Sequence, residues 1–565
     1  MKPASMEKRK GGQKSRASAA PATKPVPSEE RFVRRLSPWQ WGAATILSAA
    51  AILRLVELTL KPLHHDEGVN GLFLTTLFRG GPYVYNPSNF HGPTLYYFAW
   101  ITTTFNSFLY GKDGLSTFAI RLTTVLFGVG VVWLLLCLRR ELGTFGILSA
   151  ALLAAVSPGM VFFSRYFIHE VMFIFFTLGV VIAVLRYRQT RKPRYLMLAA
   201  ISGALLGATK ETWVITVAVL LIALPCTWAW LFLRRKKMAV EDDLVPQPLR
   251  LRQDPVGVGG AAQNGSTWGP WQLYSLAALL FAIVWVLFYS SFFTNFPQGV
   301  IDSVRTFGYW FQTSHSAHEY GPTKYLEWIW QEDAPTLILG ATGIVIAFWQ
   351  ARNRFAVFAA FWSLGILAAY SLVGYKTPWC ALNILLPFTI TAGYGLQQIR
   401  QFRPPPRWWE LRPPRRWWAF LAPHGSAAIV MIVIATGISL YQAIDLNFYH
   451  YDDDSRAYVY AHTKRDFLAL VNEINSIAAG QPAGNDIGIV VMSTEHWPLP
   501  WYLRNYKNAG FYGKVVDTSE AILVVHETQI AEVELKLGAR YRLISTHELR
   551  PGNRLYLYLR RDLQP

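Results

Sequence analysis

Long apolar runs separated by short polar clusters organise most of this chain. Runs at 41–60, 118–138, 143–162, 170–185, 195–209, 212–233, 272–291, 336–350, 355–373, 380–397 and 419–444 approach the roughly 20 residues that carry a helix across a bilayer. They predict about 11 spanning helices. The stretch 93–110 differs. It mixes Tyr, Trp, Phe and Thr and predicts an interfacial or re-entrant helix rather than a crossing. After 445 the pattern changes again. IGIVVM (487–492), AILVVH (521–526) and RLYLYL (554–559) predict buried strands, and 464–477 predicts a helix. The expected fold class is a polytopic α-helical membrane protein with a small C-terminal α/β domain at 446–565.

Composition agrees with that reading. The 565 residues are 52% hydrophobic and only 16% charged, where a soluble protein carries about 25% charge. The net charge of +19 would suggest nucleic acid in a soluble chain. Here Lys and Arg collect in alternate connections, RR (139–140), RYRQTRKPR (186–194), RRKK (234–237) and RQFRPPPRWWELRPPRRWW (400–418). Cytoplasmic loops do this, so membrane lipids are the expected partners and nucleic acid is not. Residues 1–40 predict a disordered basic cytoplasmic arm. The membrane domain is then 41–445, with a large external loop at 61–117, a cytoplasmic linker at 238–270 and an external loop at 292–335. This topology makes a multi-pass plasma-membrane protein with a cytoplasmic N-terminus and an external C-terminal domain. Cys137, Cys226 and Cys380 show no paired spacing and read as small apolar residues.

With that topology the unusual polar clusters share the external face: HHDE (64–67), NFHGPTLYY (89–97), SRYFIHE (164–170), TKET (209–212), HSAHEYGP (315–322) and YKTPW (375–379). Ionisable groups at membrane depth usually line a polar site. Asp66 and Glu67, if helical, point about 100° apart and would serve different tasks, as base and as support. Alternatively they only start a helix. Arg165 and Glu170 form an anion site or a structural ion pair. Lys210 meets a phosphate or complements a helix end, and Lys376 grips a lipid phosphate or snorkels to the interface. His91 and Tyr96 belong to the aromatic loop segment and are candidate substrate contacts. His315 and His318 share a helix face; with His65 they are candidate ligands for a divalent metal, although no third ligand is specified locally. EHWPLPWYLRN (495–505) suits sugar contact or a plain folded core.

The acidic pair after the first membrane helix, FHGPTLYY, FAIRLTTVLFGVG (118–130), SPGMVFFSRYFIHEVMF (157–173) and YKTPWCALNILLPF (375–388) together resemble the GT-C membrane glycosyltransferases. Within that superfamily they are similar to the dolichyl-phosphate-mannose protein mannosyltransferase and aminoarabinose transferase group. HHDEGVNG, FHGPTLYY and YKTPW resemble most closely the flippase-activity-associated proteins of N-glycosylation clusters. The resemblance covers roughly 40–400 and implies an inverting transfer from a polyprenyl-phosphate-linked sugar to a glycan, lipid or protein acceptor on the external face. It implies Asp66 as the catalytic base. The subfamily's name leaves open a non-catalytic role in lipid-linked sugar translocation.

Overall fold

A computed structural model describes residues 36–89, 91–111, 113–243, 269–313, 319–402 and 426–563. Helix α1 (Pro38–Leu55) starts at a Ser37 cap, whose hydroxyl accepts from Gln40 N while the Gln40 side chain returns to Ser37 N. The first large connection then holds α2 (His65–Phe78) and α3 (Thr94–Tyr110). Helix α3 buries Thr94, Leu95, Tyr96, Ala99, Thr102 and Thr103 and exposes Trp100, Ile101, Phe105 and Phe108.

The bundle continues with α4 (Thr117–Leu136), α5 (Arg139–Leu142), α6 (Thr144–Val156), α7 (Pro158–Ser164), α8 (Glu170–Thr190), α9 (Pro193–Gly207), α10 (Trp213–Asp243) and α11 (Pro270–Tyr289). After α12 (Gln298–Thr313) come α13 (Lys324–Gln350), α14 (Arg354–Leu372), α15 (Ala381–Gln401) and α16 (Ser426–Ile444). Each predicted crossing coincides with one of these helices, or with the α6–α7 pair. Among the described residues, eight helices are long and apolar enough to cross a membrane, and the bent α6–α7 pair makes a ninth. Helix α9, with 15 residues, is too short by that measure, and α1 does not reach it either.

Two departures from the apolar pattern have local causes. The run 143–162 bends by 56° between α6 and α7, because Pro158 offers no N–H to continue α6 and Ser157 instead caps α7 through Met160 N. Helix α13 starts at Lys324, twelve residues before the predicted 336, and kinks at Asp333 ahead of Pro335. Its polar Glu332 and Asp333 are buried against other elements. Asp333 accepts from Ser157 Oγ, Gly159 N and Tyr458 OH at 2.6, 3.1 and 2.9 Å. Glu332 pairs with Arg456 at 2.9 Å. At the centre lies α15, buried along 381–397 against α6, α13 and α14. Its approach to α13 is backbone-close: a Cβ on Gly343 would stand 1.8 Å from the Thr391 carbonyl oxygen, the small-residue contact typical of packed membrane helices.

The tail carries α17 (Phe467–Gly480), α18 (Leu499–Tyr502), α19 (Ile530–Leu537) and a five-stranded sheet ordered β2-β1-β3-β5-β4. The strands are β1 (Ile489–Val491), β2 (Ala509–Phe511), β3 (Ile522–His526), β4 (Tyr541–Arg550) and β5 (Asn553–Arg560). Strands β1, β2 and β3 are parallel, and β5 runs antiparallel to β3 and β4. Successive residues serve opposite faces: Ile489 and Val491 pack with α17, Val490 and Met492 with α19. The three cysteines are free thiols, and Cys380 is buried.

Candidate active site

The HHDE turn is built by a helix start. His64 caps α2: its Nδ1 accepts from Asp66 N at 3.1 Å, so its Nε2 carries the proton and donates to the Tyr460 carbonyl at 3.2 Å. Glu67 closes the cap from the other side by accepting from His64 N at 2.9 Å. The remaining Glu67 capacity is also filled. Oε1 accepts from Arg121 Nε and Phe167 N, both at 2.8 Å, and Oε2 accepts from Arg121 Nη2 at 2.7 Å. Neither side chain of this ion pair is exposed. Burial pushes the Glu67 carboxyl up, but Arg121, Lys61 and the His64 N–H outweigh it and hold it below the usual carboxylate value. Arg121 also donates to the carbonyls of Leu58, Lys61 and Pro62. Glu67 is therefore enclosed, while its neighbour Asp66 keeps a side chain 40% exposed, 4.0 Å from His64 Nδ1.

A second polar group lies beside this turn. Lys210, between α9 and α10, donates to Glu170 Oε1 at 2.5 Å and stands 3.8 Å from Cys380 Sγ. Its backbone pairs with His91. The His91 Nδ1 is 3.2 Å from Glu211 Oε2, and the His91 ring lies 4.9 Å from that of His169. His169 donates from Nε2 to the Gly92 carbonyl, and its buried Nδ1 has no partner among the described residues. Tyr96 donates to Asn70 Oδ1 at 3.0 Å, and Asn70 donates to the Phe167 carbonyl. Tyr375 feels charges from both polar groups. Burial, then the Asp66 carboxylate, push its hydroxyl up to about 12, while Lys210 acts in the opposite sense.

The structure thus gathers Asp66, His91, Tyr96, Glu170 and Lys210 at one end of the bundle. Arg165 stands apart in role: it donates to the carbonyls of Leu53, Arg54, Val56 and Glu57, the acceptors left unpaired where α1 ends. Lys376 folds back onto the Val373 carbonyl. His315 and His318 lie outside the described residues. His65 Nδ1 faces Arg550, and among the described residues no three His, Cys, Asp or Glu side chains are placed to hold a metal ion. Arg121 had a local signal, a lone cation inside an apolar run. Glu211, His169 and Tyr375 lie inside the polar clusters TKET, SRYFIHE and YKTPW, whereas Arg550 had no signal that separates it from an ordinary strand residue.

Residues 96–298 match the family model of dolichyl-phosphate-mannose-protein mannosyltransferase. Among solved structures, the chain is similar to ArnT from Cupriavidus metallidurans bound to undecaprenyl phosphate, at 14% identity and a TM-score of 0.60, covering 94% of this chain and 100% of that one. The apo state of the same protein gives 13% identity, a TM-score of 0.58, and coverage of 92% and 98%. An Archaeoglobus fulgidus oligosaccharyltransferase tethered with an acceptor peptide gives 12% identity and a TM-score of 0.50, covering 85% of this chain and 64% of that one. A comparison with curated proteins by sequence found no match. At these identities the structural likeness is one of fold, and it spans both the helical bundle and the tail.

Proposed function

We propose that this chain is a membrane glycosyltransferase of the GT-C type that transfers a sugar from a polyprenyl-phosphate donor to an acceptor hydroxyl, with inversion, at the end of the bundle that carries Asp66. The observation that carries the reading is the split between two adjacent carboxylates: Glu67 is enclosed by four N–H donors, while Asp66 is left open to a substrate. Asp66 takes the proton from the acceptor hydroxyl as its oxygen attacks the anomeric carbon. The bond from that carbon to the phosphate oxygen breaks, and the electron pair leaves on the lipid phosphate. A phosphate leaving group needs positive charge more than a proton. Lys210 is the candidate, held in place by Glu170. Glu67 orients the α2 turn and does not touch the substrate.

We also place this end of the bundle on the external face of a plasma membrane. Helix α4 carries Arg121, at the site, near its start and ends at Leu136, just before Arg139 and Arg140 of α5. Helix α8 runs from Glu170 to Arg186, Arg188 and Arg191. The basic residues therefore collect at the far end, as cytoplasmic ends do.

Replacing Asp66 with Asn tests the reading, with transfer from a polyprenyl-phosphate sugar measured in membranes. Turnover is expected to fall by about 10²–10⁴, the worth of a general base. Unchanged turnover would remove Asp66 from the chemistry.

A further inference from the structure

The tail domain reaches into the Asp66 turn. Strand β4 ends at Arg550, whose side chain is 14% exposed. Its Nη1 donates to Glu495 Oε2 at 2.9 Å, and its Nη2 donates to the Trp497 carbonyl at 2.7 Å and to His65 Nδ1 at 3.2 Å. A guanidinium has no acceptor. The Nδ1 of His65 therefore accepts, and the ring proton lies on Nε2. That Nε2–H has no protein partner among the described residues, and the half-buried ring sits next in the chain to Asp66. The neighbouring Trp497 ring, also half-buried, lies 5.9 Å from His65.

The contact is not a loose one between two surfaces. A Cβ on Gly68 would stand 2.7 Å from Pro498 Cβ, and one on Gly71 would stand 2.5 Å from the Trp501 ring. Leu63 N donates to Tyr502 OH at 3.0 Å. Helix α2 and the segment around Trp497 are packed backbone-close, so Arg550 and His65 keep their relation.

We propose that Arg550 is a positioning residue that holds His65 as a neutral Nε2–H donor to the acceptor, so that the tail domain forms part of the acceptor subsite. The inference rests on the reading of Asp66 as the base. The acceptor it implies is a carbohydrate. One hydroxyl yields its proton to Asp66, a neighbouring hydroxyl oxygen accepts from His65 Nε2–H, and the C–H face of the sugar lies on the Trp497 ring, whose electron-rich face suits it. Neutrality matters here because an imidazolium beside Asp66 would pair with the carboxylate and weaken it as a base.

The test uses the full-length protein in nanodiscs, with mannosyl-phosphoundecaprenol as donor probe and octyl α-mannoside as acceptor probe. Arg550→Met is expected to lower kcat/KM for the acceptor about tenfold, the worth of one well-placed hydrogen bond at ~1.4 kcal/mol, with the donor KM unchanged. His65→Gln replaces the ring with a flexible amide that still offers an N–H near the Nε2 position and is expected to lower kcat/KM for the acceptor about three- to tenfold. In that background Arg550→Met should cost less than about twofold, because no tautomer remains to be fixed. Equal losses in both backgrounds would mean that Arg550 acts only through the fold, and no loss in either would also overturn the proposal. A second measurement needs no turnover: ¹⁵N shifts of the His65 ring, assigned by difference with His65→Gln. An Nε2-protonated ring at pH 7 is expected in the native protein and a tautomer mixture in Arg550→Met; an Nδ1-protonated or doubly protonated native ring overturns the proposal. Full activity of Asp66→Asn would instead count against the base assignment alone.

Discussion

Glu67→Gln and Asp66→Asn each remove one negative charge from the same helical turn, yet the geometry predicts opposite kinds of damage. In the native turn Glu67 accepts from Arg121 Nε, Arg121 Nη2, His64 N and Phe167 N at 2.7–2.9 Å, with nothing exposed. A Gln side chain keeps one acceptor oxygen and sets an NH₂ group against the donors on the other side. Arg121 is then left without a counter-charge at 0% exposure. Breaking a buried pair from one side costs about 3–5 kcal/mol, a large part of the ~5–15 kcal/mol that holds a typical domain folded. Asp66 has no such enclosure. The ionisable side chain beside it is the neutral His64 ring, with Nδ1 at 4.0 Å, and 40% of its own side chain is exposed. Asp66→Asn should therefore leave stability within about 0.5 kcal/mol while removing a base worth ~3–5 kcal/mol of barrier.

The assay is paired. The thermal midpoint of the monodisperse protein in detergent reports folding, and turnover per folded molecule reports chemistry. Glu67→Gln is expected to lower the midpoint and the yield, with turnover per folded molecule affected only as far as the turn shifts. Asp66→Asn is expected to keep the midpoint and lose turnover. The double variant Glu67→Gln with Arg121→Met should regain part of the lost stability, because it removes both charges together. A Glu67→Gln protein that is fully stable and inactive would show that Glu67, not Asp66, is the chemical group.

Lys210→Met leaves Glu170 buried and unpaired, so the informative variant is Lys210→Met with Glu170→Gln. It should fold, and initial rates should show a donor KM raised about tenfold if Lys210 meets the phosphate. Arg165→Met strips donors from four carbonyls at the end of α1 and should destabilise by about 3 kcal/mol in a thermal-shift measurement with the donor KM unchanged; a raised KM at intact stability would return Arg165 to phosphate binding. Gly71→Ala drives a methyl to 2.5 Å from the Trp501 ring, an overpacking worth about 1–3 kcal/mol, and limited proteolysis should then release the tail domain faster than from the native protein. Burial first, with Arg550 added, lowers the His65 ring from its ordinary 6.5 to about 4 against the pull of Asp66. The unfolded chain takes up this proton below 6.5 and the folded one does not, so the His65 contribution is full above 6.5 and is lost as pH falls from 6.5 toward 4. His65→Gln should make the stability curve shallower across that window in denaturant titrations, and an unchanged slope would contradict the neutral ring.

The membrane helices were legible because hydropathy is a local property. The extension of α13 back to Lys324 was hidden for the opposite reason. Its residues Gln331, Glu332 and Asp333 look like loop, and they lie in a helix only because Ser157, Gly159, Arg456 and Tyr458 satisfy the two carboxylates. In the tail, β1, β3 and β5 announced themselves as apolar runs. Strand β2 is three half-buried residues, and β4 carries register shifts between Leu543 and Ser545 and between Glu548 and Arg550, which break the alternation that would have revealed it.

The site shows the same division more sharply. Buried cations crowd this end of the bundle, and the sequence alone names three of them, Arg165, Lys210 and Lys376, as anion or phosphate contacts without ranking them. Carbonyl accounting separates them. Helix α1 ends inside the protein at Leu55, and α6 ends at Val156 before a bend. Both ends leave carbonyls that need donors. Arg54 serves Ala154 and Ala155, Arg165 serves Leu53, Arg54, Val56 and Glu57, and Arg121 serves Leu58, Lys61 and Pro62. The arginine fork, with five N–H donors, suits this task. Lys61 lies 3.9 and 4.1 Å from the ring centroids of Phe162 and Tyr166, and Lys376 is turned onto Val373. Lys210 differs from all of these. Its side chain meets a carboxylate and a thiol rather than carbonyls, and the nearby buried His169 Nδ1 has no partner among the described residues. An orphaned buried nitrogen beside a cation that a carboxylate holds in place is what a site expecting a polar ligand leaves behind, and it supports the proposal that Lys210 meets the phosphate.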